Sequence, residues 1–94
     1  MYVTVRRYQN AGELGDAMSS RSGEVNELIS GVPGFVTYYA ARDGNMVTTI
    51  TVCNDKAGCD ESTRRAGQWV KANVKAFPGA PDVSEGPIFL NFSK

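Results

Sequence analysis

The chain contains no histidine. Its absence removes the side chain that most often serves as general base, metal ligand or haem ligand near neutral pH. Ser-His-Asp and Cys-His nucleophilic mechanisms are excluded with it. Cysteine is scarce. Cys53 and Cys59 are the only two, and their C-x5-C spacing matches neither a zinc site nor a redox motif. Net charge is lacking too, because ten basic and ten acidic residues cancel. No general field draws nucleic acid or an anionic membrane surface. No apolar run approaches the ~20 residues of a membrane span. The opening "MYVTVRRYQN" has neither the apolar stretch nor the cleavage site of a signal peptide. The expectation is a cytoplasmic protein with no disulfide, metal or cofactor, no nucleic-acid partner and no membrane attachment.

What is present is ordinary in amount. With 94 residues, 41% hydrophobic and 21% charged, the composition suits one globular domain over residues 1–94. Residues 2–8, "YVTVRRY", alternate and are rich in β-branched and aromatic side chains, which predicts a strand. Over 12–31 the period changes. Leu14, Met18, Arg21, Val25, Leu28 and Val32 recur every three or four residues, and Ala17 and Ile29 widen the stripe. That is one amphipathic helix, stopped by "GVPG" at 31–34.

Residues 35–42 and 46–53 read as two strands joined by a hairpin turn at "DGN". A second helix is expected over about 60–77, with Asp60 as a possible N-cap and Thr63, Ala66, Val70, Val74 and Phe77 on its apolar face. Residues 83–93 give a last strand, with a break at Gly86-Pro87. The order β-α-β-β-α-β predicts a ferredoxin-like α+β sandwich, a four-stranded antiparallel sheet with two helices on one face.

The uncovered sheet face should then be polar in a monomer. Here both registers carry apolar residues: Phe35, Tyr39 and Ala41 against Val36, Tyr38 and Ala40, then Met46, Ile50 and Val52 against Val47 and Cys53. A sheet apolar on both faces predicts a homodimer packed through its sheets.

Two segments, "VPGFVTYYAARDG" at 32–44 and "ESTRRAGQWV" at 61–70, together with the element order, give the chain a resemblance. It is similar to the dimeric α/β-barrel superfamily, and within it to antibiotic-biosynthesis-monooxygenase-type domains. The resemblance runs over nearly the whole chain. It implies two ferredoxin-like subunits sharing a barrel, with a pocket between each sheet and its helices. Some relatives oxidise phenolic polycyclic substrates with molecular oxygen and no metal or flavin; others degrade haem. Trp69 matches the second-helix tryptophan that lines the oxygenase pocket. One turn earlier those oxygenases carry asparagine, where this chain has Arg65. Haem-degrading relatives carry a first-strand asparagine and a histidine after the tryptophan; this chain has Arg6 and Arg7 on that strand and no histidine.

Several residues have two readings. Trp69, the only tryptophan, stands at the edge of its helix stripe and suits either a pocket wall or core packing. Arg21 lies on the apolar stripe of the first helix, where it either meets an anionic ligand group or snorkels to water. Tyr8, Tyr38 and Tyr39 are phenol donors or plain sheet residues. Arg6 and Arg7 are adjacent and face opposite sides of their strand. One of them can face a pocket, although strand-end charge is the plainer reading. Cys53 and Cys59 read as small apolar residues.

The candidate substrate-binding residues are therefore Trp69, Arg21, Arg65, Asn73 and Tyr38, facing a small apolar or aromatic molecule. No general base is identified. The function this implies is a cofactor-independent monooxygenase, the alternative being a non-catalytic small-molecule-binding dimer of the same fold.

Overall fold

A computed structural model describes residues 1–76 and 78–94. Phe77, placed above on the second helix, lies outside the described residues. The elements are β1 (Tyr2–Tyr8), α1 (Gly12–Ser20), α2 (Ser22–Ser30), β2 (Phe35–Asp43), β3 (Met46–Cys53), α3 (Lys56–Asn73) and β4 (Asp82–Pro87). The four strands form an antiparallel sheet in the order β2-β3-β1-β4. This is the ferredoxin-like arrangement, with the expected first helix in two pieces.

The break falls at Arg21, whose φ of −121° and ψ of 36° leave the helical region. Its neighbours Ser19, Ser20, Ser22 and Gly23 are weak helix formers. Hydrogen bonding nevertheless continues, since Arg21 N–H donates to the Ala17 carbonyl at 3.0 Å and Val25 N–H to the Arg21 carbonyl at 3.1 Å. The result is a kink of the kind Ser/Gly runs permit. It swings Arg21 off the apolar stripe and into solvent.

The third helix starts four residues before the expected position. Asp55, not Asp60, is its N-cap, accepting from Gly58 N–H at 3.0 Å. Asp60 pairs instead with Lys56 at 3.0 Å. The helix also stops early, at Asn73. Just beyond it the Glu13 carboxylate on α1 accepts from the backbone N–H groups of Lys75 and Ala76, at 2.5 and 3.0 Å. Those donors are turned sideways and no longer serve a helix.

The fourth strand is shorter than the sequence predicts, and the register explains why. Tyr2 pairs with Pro87, so β1 has almost no residues left beyond that point. One more bond forms, Ile88 N–H to the Met1 carbonyl at 2.9 Å. After it Phe89, Leu90 and Phe92 extend into solvent, 89%, 63% and 88% exposed.

A bulge between Phe35 and Thr37 corrects the strand register expected for β2. Phe35 falls on the helix side, packed against both apolar clusters, while Tyr39 stays on the open face and is exposed. Opposite the helices, Val3 pairs with Val52, and Ile50 sits between Val5 and Tyr39. The open face is thus apolar along its centre.

Facing the helices, the sheet is layered. Tyr2 pairs with Cys53 at one end and Tyr8 with Val47 at the other. Cys53 packs with Cys59 and Val32. Tyr8 and Val47 belong to a larger cluster with Leu14, Ile29, Trp69 and Val70. Between the two clusters run the pairs Thr4–Thr51 and Arg6–Thr49, all four buried. A polar band therefore crosses the middle of the core.

α3 crosses this sheet closely at Gly58, where a side-chain Cβ would lie 2.9 Å from the Pro33 carbonyl oxygen and 2.9 Å from Cys53 Cβ. Gly67 in the same helix has open space around it. Helix propensity alone makes both Gly→Ala changes stabilising by up to ~1 kcal/mol. The packing reverses the sign at one of them. We expect Gly67→Ala to raise the denaturant midpoint and Gly58→Ala to lower it, by roughly 1–3 kcal/mol for an overpacked site.

Candidate functional site

Where the two pieces of the kinked helix and α3 lie over the sheet, they leave a small, partly open cavity of about 30 Å³. That is room for about one water molecule. Trp69, Ala66 and Val70 descend from α3, and Leu14, Met18, Val25, Leu28 and Ile29 from α1 and α2. Tyr8, Tyr38 and Thr49 rise from the sheet. Next to the cavity a groove of about 470 Å³ opens between the helix kink and the edge strand β2, lined by Ser19, Ser22, Asn26 and Phe35 among others. Met18, Val25 and Tyr38 belong to both spaces. They form the partition between groove and cavity, and Met18 is its most pliable member.

Trp69 is 9% exposed and belongs to the larger apolar cluster as well as to the cavity wall. The two readings of this residue are compatible because the cavity lies inside the core. Its indole N–H leaves the apolar layer and donates to Glu24 Oε1 at 2.8 Å. Tyr38 also lines the cavity.

Arg21, Arg65 and Asn73 are not in the cavity wall. Arg21, turned outward by the kink, donates to Asn73 Oδ1. Asn73 Nδ2 in turn donates to the Trp69 carbonyl at 2.9 Å. This chain of contacts ties the kink to the end of α3 across the outside of the cavity roof. Arg65 is fastened elsewhere, with Nε on Glu61 Oε2 at 2.9 Å and Nη1 on the Leu28 carbonyl at 3.2 Å. It covers an orphan carbonyl near the end of α2. Glu61, shared with Arg64, is held down to about 2 by hydrogen bonds from the two guanidinium groups, Arg64 first.

Arg6 is the residue whose setting departs most from its plainer reading as strand-end charge. It is 1% exposed. Nη1 donates to Thr63 Oγ1 at 2.8 Å and, more loosely, to Ser62 Oγ at 3.5 Å; Nη2 donates to Thr51 Oγ1 at 2.8 Å. All three partners are hydroxyls, and no carboxylate pairs with it among the described residues. Its Nε has no partner, nor do the buried hydroxyls of Thr49 and Thr4. Strand alternation could have found it. Arg6 shares a face with Tyr8, and Thr49 and Thr51 share one with Val47 and Cys53, so a polar strip in a buried register is written into "TVRRY" and "VTTITVC".

The two phenols lining the cavity, and the two thiols of the other cluster, stay neutral at pH 7. Burial pushes the Tyr8 phenol up, with the Arg6 charge opposing. Burial does the same at Tyr38, where Arg6 opposes, Tyr8 adds to the rise and the neighbouring Thr49 hydroxyl opposes without reaching hydrogen-bond geometry. Burial lifts the Cys53 thiol, and Cys59 is pushed up to about 11 by burial and by Cys53. Both cysteines are free, and Cys59 Sγ donates to the Tyr2 carbonyl at 3.4 Å. Neither is a thiolate nucleophile at neutral pH. No group of three or more acidic or cysteine side chains able to hold a metal ion occurs among the described residues, and no described helix is long and apolar enough to cross a membrane.

No protein-family model matches the sequence, and no curated protein does. Solved structures do match. A candidate antibiotic biosynthesis monooxygenase from Chloroflexus aurantiacus superposes with a TM-score of 0.68 at 14% identity, over 98% of this chain and 96% of that one. A variant of SnoaB, a cofactor-independent oxygenase from Streptomyces nogalater, gives 0.59 at 18% identity, over 98% and 94%. A dimeric ferredoxin-like protein from an uncultured marine organism gives 0.68 at 12%, over the full length of both chains. At such identities the likeness is one of fold: the chain has the ferredoxin-like fold that these solved structures share.

Proposed function

We propose that this chain binds a small, flat, phenolic or enolic molecule beneath Trp69 and promotes its oxidation by molecular oxygen, working as a homodimer. One observation carries the reading. Trp69, Tyr8 and Tyr38 wall a small apolar cavity that shares Met18, Val25 and Tyr38 with an open groove beside it. Aromatic walls suit a flat π-system, and the phenol hydroxyls of Tyr8 and Tyr38 supply orienting donors. A ligand larger than water enters by displacing the Met18 side chain toward the groove.

The chemistry this reading needs is modest. An ionised phenol or enol is electron-rich enough to reduce oxygen itself. In a typical balance a ring CH₂ and O₂ give C=O and H₂O, four electrons passing from carbon to oxygen and both hydrogens leaving in the water. The protein would orient the ring, exclude bulk water and stabilise the anion. Tyr8 and Tyr38 are held protonated, so neither removes the substrate's proton. The substrate must be acidic enough to ionise without them. The same absence of a proton acceptor in the cavity wall favours the second reading, a dimer that binds the molecule without transforming it.

The homodimer is supported by the apolar centre of the open face, Val3, Val5, Ile50 and Val52 with exposed Tyr39, and by the tail residues Phe89, Leu90 and Phe92 left in solvent. Surface of this kind is characteristic of an interface.

Two measurements follow. Sedimentation of the purified chain should give a dimer, and Ile50→Glu should give a folded monomer; a monomeric parent chain refutes the dimer. Trp69 fluorescence should be quenched saturably by anthrones and hydroquinones at micromolar concentration, and Ala66→Leu, which fills the cavity, should weaken binding at least about tenfold, the equivalent of ~1.4 kcal/mol. Oxygen uptake in step with quenching identifies an oxygenase, and quenching without uptake identifies the binding protein. No quenching by any of these ligands removes both.

A further inference from the structure

The mechanism above makes no use of Arg6, the most deeply buried charge in the molecule. Leaving a cation in the core without an opposite charge costs several kcal/mol. Proteins usually avoid the cost by supplying a carboxylate. Here the guanidinium meets only hydroxyls, Thr51, Thr63 and Ser62. On β4, Glu85 stands opposite Thr4 and pairs with Lys56 at 3.4 Å; the groups that feel the Arg6 charge include Tyr8 and Tyr38 from the strands and Cys53 and Cys59 from β3 and α3. All four are pushed toward their neutral forms, so none compensates it.

The unsatisfied hydrogen-bonding groups gather at the same place. Arg6 Nε, Thr49 Oγ1 and Thr4 Oγ1 lack partners. Thr49 is the cross-strand partner of Arg6 and Thr4 is two residues along the same face of β1. Thr49 also forms part of the cavity wall, while Arg6, its cross-strand partner, is buried outside the lining, so that a ligand reaches it past Thr49. A trapped water would satisfy the hydrogen bonds but would leave the charge as it is. A ligand oxygen carrying negative charge would answer both.

We infer that the polar band at Arg6 and Thr49 is an anion-recognition floor for the cavity, taking the phenolate, enolate or carboxylate oxygen of an aromatic ligand whose ring lies against Trp69. The inference rests on the cavity being a ligand site, as proposed above, and adds the group the ligand must carry. It accounts for a site that has no base. A buried cation lowers the pKa of a bound phenol, so the ligand sheds its proton on entry rather than to a protein side chain. A guanidinium, unlike a lysine amine, also stays charged in such a setting. Arg6 in this role is a positioning and charge-stabilising residue, held by Thr51 and Thr63 so that Nε is the free donor.

The test uses para-nitrophenol, whose phenolate absorbs visible light, and para-nitroanisole, its methyl ether, which cannot ionise. Binding of each to the intact protein is followed by Trp69 fluorescence, and the ionisation of bound nitrophenol by its absorbance across pH. We expect the bound phenol to ionise at least one pH unit below the free one, which is about a tenfold preference for the anion, and the ether to bind correspondingly more weakly. Arg6→Met should remove the preference. Because it replaces an uncompensated charge with an apolar chain, it should leave thermal stability unchanged or raise it. Arg6→Lys should restore part of the preference. Thr49→Val touches none of the Arg6 partners and should weaken phenolate binding several-fold while sparing the ether.

Equal binding of phenol and ether, with an unshifted ionisation, overturns the anion floor and leaves the cavity reading intact. An Arg6→Met protein that is destabilised yet keeps the preference overturns it as well, since Arg6 is then structural only. Binding of neither probe overturns this inference together with the cavity reading.

Discussion

A positive charge lies in the middle of this small core with no negative charge beside it, and much of the arrangement around it follows from that. Arg6 reaches in from β1, next to the sheet centre, and its guanidinium must be surrounded by acceptors. Thr51 from the adjacent strand and Thr63 and Ser62 from α3 provide them. Each of these hydroxyls takes a place that an aliphatic side chain would otherwise fill. The core is consequently divided, with the cysteine cluster at one end and the tryptophan cluster at the other. The division leaves α3 responsible for three things along its length: close packing at Gly58, acceptors at Ser62 and Thr63, and the aromatic wall at Trp69. A helix with that sequence of duties cannot present a uniform apolar stripe, and its "ESTRRAGQWV" segment looks correspondingly polar.

The kink at Arg21 belongs to the same economy of a small fold. A straight helix over 12–31 would lie flat on the sheet and close the space beneath it. Breaking it at a Ser/Gly-rich point lets α1 and α2 pack separately, and the groove opens at their junction. Arg21, Asn73 and the Trp69 carbonyl then form a strap on the outside. Three residues singled out from the sequence as ligand contacts are brought together there, with only Trp69 presenting its side chain to the cavity. The strap fixes the roof, and the roof fixes the indole.

The order and type of the strands and helices were legible because their periodicities are strong and their turn residues unambiguous, as at "GVPG" and "DGN". The bounds of the first three strands were legible too; those of α3 and β4 were not, and the reasons are long-range. Asp55 caps α3 in place of Asp60, accepting from the N–H of Gly58, the residue at which the helix packs closely on Cys53 and Pro33. The Glu13 carboxylate, 62 residues away in sequence from the N–H it binds, meets donors just past the end of that helix. The last strand ends where β1 runs out of partners, which no local pattern encodes. Of the site, Trp69 and Tyr38 were legible by type and spacing. Arg21 was misleading because stripe arithmetic assumes a straight helix. Arg6 was underrated because a charged residue near a strand end is ordinarily solvated, and only the register with Thr49 and Thr51 makes it central.

A cavity with Arg6 buried beyond its Thr49 wall, and no proton acceptor among its lining residues, would have a definite chemical preference as a ligand site. General-base sites accept weak acids and do the work of ionising them. A site of this composition can only reward molecules that ionise readily, because its contribution is to the stability of the anion and not to the rate of proton removal. Tyrosines kept neutral in the wall would add donors to that anion without competing for its charge. The same composition also limits what goes wrong: with thiols protonated and no described group of metal-binding side chains, an electron-rich ligand held against Trp69 meets few side chains that react with it or with oxygen. Whether such a ligand is oxidised or only held then turns on its own reduction potential and on how completely Met18 and Tyr38 close behind it, properties of the substrate and of the partition rather than of any further catalytic group.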